Sequence, residues 1–371
     1  MYNQQDLDEA VAAGAIDASA AASLRNYLDG ARATPAVDEE QFRLVTSFND
    51  IFVSIASAIL LFAVGWIGQS IGQALGLTLS AHGETGPSFL APAAVAATAW
   101  GLALFFTARR RMALPSILLL LAFVGGVFAT AVLSIGLAIG APYFEDHHSA
   151  VAIVAAVGAL IAAIGAYVHW QRFHVPVTVA AGAAAIVGLV LALIASALGE
   201  NAGEMRDLML GVVLLLGIGV FLFAMRWDSS DQARTTRRSD VAFWLHLLAA
   251  PMIVHPVFTL LGLNDGNATI GEGLIVILLY VVLAVAALAI DRRALLVSAL
   301  AYVLYALTEL FKQIGAVELS VALTALVIGS ALLLLSAYWH QARRLVVHRL
   351  PGALQGKLPL LDRAPILQPA A

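Results

Sequence analysis

Apolar residues fall in long blocks along this chain, and polar residues are confined to short interruptions between them. A bilayer core about 30 Å thick takes roughly 20 apolar residues per helix. Blocks of that length recur, and the pattern predicts ten spans, near 50–77, 88–108, 114–141, 149–170, 175–198, 207–226, 240–262, 272–290, 294–314 and 317–338. The expected fold class is all-α, a polytopic membrane helix bundle of about ten transmembrane helices. With 61% hydrophobic and 12% charged residues, the chain is too apolar for an ordinary soluble domain, and nucleic-acid binding has no support in its composition.

The net charge of -4 says less than where the basic residues stand. Arg25, Arg32 and Arg43 precede the first span. Arg109–Arg111, Arg172, then Arg226, Arg234, Arg237 and Arg238, then Arg292 and Arg293, occupy every second loop, and Arg343, Arg344, Arg349, Lys357 and Arg363 follow the last span. Arg206 and Lys312 depart from the pattern. The remaining loops, "HGET", "YFEDHHS", "GENAGEMRD" and "NDGNATIGE", are acidic or neutral. The positive-inside rule therefore places both termini in the cytoplasm.

Ahead of the spans, residues 1–37 read as a cytoplasmic helical hairpin and linker. Leu7 and Val11 mark one apolar side, Gly14 breaks the helix, Asp17 starts the next, and Leu24, Tyr27 and Leu28 supply a second stripe. Residues 38–49 read as a juxtamembrane amphipathic helix, 50–340 as the membrane domain, and 341–371 as a basic, proline-containing tail, flexible or draped over the cytoplasmic face. Leu7, Gly14, Ile16, Asp17, Ala21 and Leu24, followed by a polar linker and a polytopic domain, resemble a family of uncharacterised bacterial multi-pass inner-membrane proteins with an N-terminal cytoplasmic helical hairpin. The resemblance is clearest over the first 80 or so residues and implies a bacterial inner membrane.

Candidate chemistry sits where polar residues interrupt the spans. Tyr302, Tyr305, Glu309, Lys312 and Gln313 recur every three or four residues and share one helix face. Glu309 is expected to line a cavity and bind a cation or proton, or else to form an i, i+3 structural pair with Lys312. In the seventh span Pro251 and Pro256 remove backbone donors, which predicts a kink or unwinding around His255. His255 is thus a pathway candidate, or else a histidine bonded to a neighbouring helix. His246 lies about two and a half turns earlier, toward the opposite face of the helix. Gln69 lines a polar path or bonds to an adjacent helix, in a span where Gly65, Gly68 and Gly72 favour close packing.

Glu145, Asp146, His147 and His148 could ligate a divalent metal, with His82 and Glu84 completing the set if the fold joins the two loops. A solvated loop accounts for the same residues. With no cysteine there is no thiolate site or disulfide framework. No phosphate loop, nucleophile elbow or HExxH pattern occurs, so neither an enzyme nor a bound cofactor is expected. Two functions lead, a transporter or channel for a small solute or ion, built around Glu309, and a membrane scaffold or sensor whose hairpin binds a protein partner; a lipid-processing enzyme stands third, without a recognisable catalytic set. Either has the lipid bilayer as its surroundings.

Overall fold

Long runs of Leu, Ala, Val and Ile without a breaker satisfy every backbone donor and acceptor inside one helix, the condition for crossing lipid. The structure is a computed structural model that describes residues 11–24, 48–80, 84–202, 205–232, 234, 236–262, 269–313 and 315–361. The chain divides into two units, Met1–Phe42 with Asp362–Ala371, and Arg43–Leu361.

In the first unit the description covers residues 11–24. Gly14 has φ +70°, a left-handed conformation open to glycine, and its N–H bonds to Val11 O at 3.0 Å. The next helix begins beyond Asp17 and covers 18–24. Leu7, Tyr27 and Leu28 of the hairpin stripes, and residues 38–47 of the expected juxtamembrane helix, lie outside the described residues.

The second unit is the membrane domain. Its described helices are α1 (Phe48–Ala74), α2 (Leu90–Phe106), α3 (Ala113–Ile139), the short α4 (Ala141–Asp146), α5 (His148–Phe173), α6 (Val177–Leu198), α7 (Arg206–Ser229), α8 (Arg237–Leu260), α9 (Ile270–Ile290), α10 (Ala294–Gln313), α11 (Ser320–Ala337), α12 (Trp339–Val347) and α13 (Gly352–Gln355). Among the described residues, nine helices are long and apolar enough to cross a membrane, and α2, with 17 residues, is a shorter apolar helix between two of them. Phe48 and Asn49 are helical and continuous with α1.

The interior is a chain of small apolar clusters. Leu61, Ala99, Ala103 and Leu119 join α1, α2 and α3, and Leu120, Val124, Ala162 and Ala166 carry the packing on to α5. Val220, Ala224, Val241, Leu245 and Ala249 join α7 to α8, and Val254, Phe258, Val276, Ala299 and Val303 join α8, α9 and α10. Alanine recurs at these contacts because lipid tails are as apolar as leucine, so helices associate by close approach. Glycine does the same work at two seams: a Cβ on Gly68 would stand 2.7 Å from Leu90 O, and one on Gly126 would stand 2.8 Å from Pro92 O. Large side chains such as Phe52, Phe62 and Leu333 point outward, as lipid contact requires.

Helix α8 runs unbroken through Pro251 and Pro256, so the expected unwinding does not occur. Each ring removes one N–H, but packing against α7, α9 and α10 holds the flanking turns helical.

Candidate functional site

The strongest concentration of buried charge lies at the arginine-rich end, where α7, α8, the 291–293 turn and α12 meet. Asp228 occupies the last turn of α7 and is 1% exposed. Arg292 donates from Nη2 to Asp228 Oδ1 at 2.6 Å and to Ser239 O at 3.0 Å. His246 Nε2 lies 3.1 Å from Asp228 Oδ2. An ionised carboxylate only accepts, so this contact places the imidazole proton on Nε2. A buried carboxylate of this kind is tolerated because cationic and N–H donors replace the water it has lost.

A second aspartate is bound beside it. Asp291 ends α9 in the left-handed conformation, φ 56°. Trp339 Nε1–H donates to its Oδ1 at 2.7 Å, Arg234 Nη1–H donates to its Oδ2 at 2.9 Å, and Arg343 Nε stands 3.7 Å from Oδ1. Burial alone would raise the Asp291 pKa. Arg234, Arg343, the Trp339 hydrogen bond and Arg292 outweigh it and hold the carboxyl below its ordinary value. Arg234 Nη2 also caps α9, donating to Ile290 O and Asp291 O at 3.1 Å each.

The same cluster ties down the tail. Arg343 donates to Pro359 O at 2.6 Å and Leu360 O at 3.0 Å, and Gln232 Nε2 donates to Gly356 O at 2.6 Å. The described part of the tail, through residue 361, therefore lies against the loop after α7, in the draped arrangement. Residues 362–371 are outside the described residues.

Helices α8 and α10 carry the polar residues singled out in the sequence. His255 Nδ1 lies 2.6 Å from Tyr302 Oη, so the histidine is bonded to a neighbouring helix. The Tyr305 hydroxyl is buried with no hydrogen-bond partner. Lys312 Nζ donates to Glu309 Oε1 at 2.7 Å, and the Glu309 side chain is 24% exposed. Next to Glu309 in the chain, Thr308 Oγ1 lies 3.2 Å from Thr324 Oγ1 of α11.

Gln69 is held elsewhere, at the far end of α1. Its amide donates to Gly86 O at 3.1 Å and its carbonyl accepts from Ser88 N–H at 2.8 Å, which staples the loop before α2. His147, between α4 and α5, turns back on α4, with Nδ1 at 3.0 Å from Tyr143 O and its ring stacked on Tyr143 at 4.1 Å between centroids. The side chains of Glu145, Asp146 and His148, and residue His82, lie outside the described residues. Among the described residues no group of three His, Cys, Asp or Glu is arranged to hold a metal ion.

Sequence reasoning missed Asp228, Asp291, Arg234, Arg292, Arg343 and Trp339. Their arginines count there as markers of topology. The available signal was an acid at a span end within a basic loop, "RWD" at 226–228 and "DRR" at 291–293. His169, fully buried against Thr178 at 3.2 Å and ringed by Trp100, Phe123 and Phe173, was likewise not singled out. Compared with protein-family models, curated proteins and solved structures, the chain matches none of them.

Proposed function

We propose that this integral membrane protein moves a proton or small cation along the strip shared by α8 and α10. The observation that carries the reading is the placement of polar and ionisable groups at two levels of the face between these helices. His255 with Tyr302, and Glu309 with Lys312, form successive pairs. At 1.5 Å per residue, Tyr302 and Glu309 lie about 10 Å apart on one face of α10, about a third of a hydrocarbon core of about 30 Å. His246, nine residues before His255, faces the opposite side of α8, toward Asp228 of α7. Charged and hydroxyl side chains are costly at such depth, and membrane proteins that keep them in series use them to pass ions or protons. The unpartnered Tyr305 hydroxyl lies between the two levels and supports a site that water or an ion completes.

In this reading Glu309 is the entry group and Lys312 its resting counter-ion, displaced when a cation or proton arrives. The basic loops and both termini face the cytoplasm of a bacterial inner membrane, which puts the Asp228–Arg292–His246 cluster at the cytoplasmic end of the bundle, on the face of α8 away from the strip. The test is flux in liposomes that contain the purified full chain, with imposed proton, sodium and potassium gradients. Wild type is expected to dissipate one of them and Glu309→Gln to lose that activity. Flux in Glu309→Gln equal to wild type would remove Glu309 from the pathway.

A further inference from the structure

A crevice of about 200 Å³ opens between α10 and α11 at the arginine-rich end. Its walls are Leu296, Val297 and Leu300 of α10 and Leu332 and Leu335 of α11, and Arg293 and Trp339 line its mouth. Val297, 66% exposed, shows that the opening faces sideways out of the bundle. From Arg293 to Leu300 the helix rises about 10 Å, so the crevice is no deeper than one leaflet of the bilayer.

The mouth is rigid. Trp339 is 3% exposed and anchored through its indole N–H to Asp291, and the Arg293 guanidinium lies over that indole, 4.8 Å from the ring centroid. Stacking engages the flat face of a guanidinium, while its in-plane N–H groups meet phosphate oxygens edge-on. Along the wall, the Tyr280 hydroxyl is buried with no hydrogen-bond partner, a polar atom that the bundle leaves unsatisfied. An apolar slot one leaflet deep, opening laterally and carrying a positioned guanidinium at headgroup level, matches one class of occupant. Exposed Arg349, just beyond α12, adds positive potential at the same level.

We infer that the crevice is a binding site for an anionic phospholipid of the arginine-side leaflet, its acyl chain between α10 and α11 and its phosphate on Arg293. This site is independent of the ion strip. The strip occupies the His255, Tyr302 and Glu309 positions of α8 and α10, and the crevice involves neither α8 nor those residues.

The experiment is lipid binding to the purified full chain by native mass spectrometry, with phosphatidylglycerol and phosphatidylcholine of identical acyl chains as probes. Wild type is expected to bind phosphatidylglycerol about five-fold more tightly, the increment of one arginine near a headgroup. Arg293→Gln should abolish the preference while still binding both lipids weakly. Leu332→Trp, which fills the slot and keeps the charge, should weaken both, and inorganic phosphate should compete poorly because it lacks the chain. If Arg293→Gln fails to fold, the Leu332→Trp comparison decides. Unchanged preference in Arg293→Gln, or wild-type binding in Leu332→Trp, overturns the inference. Concentration-dependent self-association lost in Leu332→Trp, with no lipid preference in wild type, assigns the crevice to a second copy and overturns it equally.

Discussion

Arg292 and Asp228 stand 64 residues apart in the chain and meet at 2.6 Å inside the bundle, with His246 on the same carboxylate. The contact locks the turn between α9 and α10 onto the end of α7. Removing one member leaves the others buried without compensation, which costs more than the intact pair contributes. Asp228→Ala is therefore expected to destabilise the protein by about 3–5 kcal/mol. The Asp228→Leu, Arg292→Leu double variant should lose less than the sum of its single changes. Unfolding in mixed micelles, run as a double-mutant cycle, checks both statements.

Asp291 makes stability depend on acidity in a defined direction. Its folded-state pKa lies below the ordinary aspartate value of about 3.9 because its arginine and tryptophan partners outweigh the cost of burial. The unfolded chain thus binds the proton more readily. The stabilisation is complete above about pH 4 and is lost as pH falls through the folded-state value. Asp291→Asn should be less stable than wild type at pH 7 and should lose less further stability between pH 5 and pH 3. Melting temperatures of both proteins across that range measure it.

Close packing of α7 on α8 rests on one glycine. A Cβ on Gly217 would stand 2.8 Å from Met252 Cβ and 3.0 Å from its carbonyl carbon and oxygen, whereas Gly219 has nothing within 4 Å. Gly217→Ala should cost about 1–3 kcal/mol by forcing the helices apart. Gly219→Ala should change stability little or raise it. Thermal unfolding of the two variants side by side gives the contrast.

Gln69 divides a structural role from a conducting one. Both polar ends of its amide are taken by Gly86 O and Ser88 N–H. Gln69→Leu leaves those backbone groups unmet and is expected to cost about 1–3 kcal/mol. Faster hydrogen exchange at 84–89 with unchanged ion flux is the predicted outcome, and impaired flux in a stably folded variant would return Gln69 to the pathway.

The spans were legible because length and apolarity are dictated locally: 294–314 was expected and α10 is Ala294–Gln313, while 175–198 became Val177–Leu198. The second span shortened at both ends, where Ser88 and Phe89 precede the helix and Thr107 begins a turn. The polar stripe of α10 was legible from its spacing, and so was the Glu309–Lys312 pair. The partner of His255 was not, because Tyr302 lies 47 residues away and no periodicity links the two helices. The arginine cluster was hidden for a further reason. Arg234, Arg292 and Arg343 satisfy the charge rule for an inner loop whether they face solvent or bury against an aspartate, so their position alone carries no sign of pairing.

The contact between His255 and Tyr302 is the inner level of the proposed pathway, and replacing the hydroxyl tests it with little disturbance of packing. Tyr302→Phe, compared with wild type in liposomes under matched proton, sodium and potassium gradients, is the most direct measurement. The account predicts that wild type dissipates one of these gradients, and that Tyr302→Phe does so about ten-fold more slowly with its melting temperature within a few degrees. No flux in wild type under any of the gradients, or full flux in Tyr302→Phe, would contradict conduction along α8 and α10.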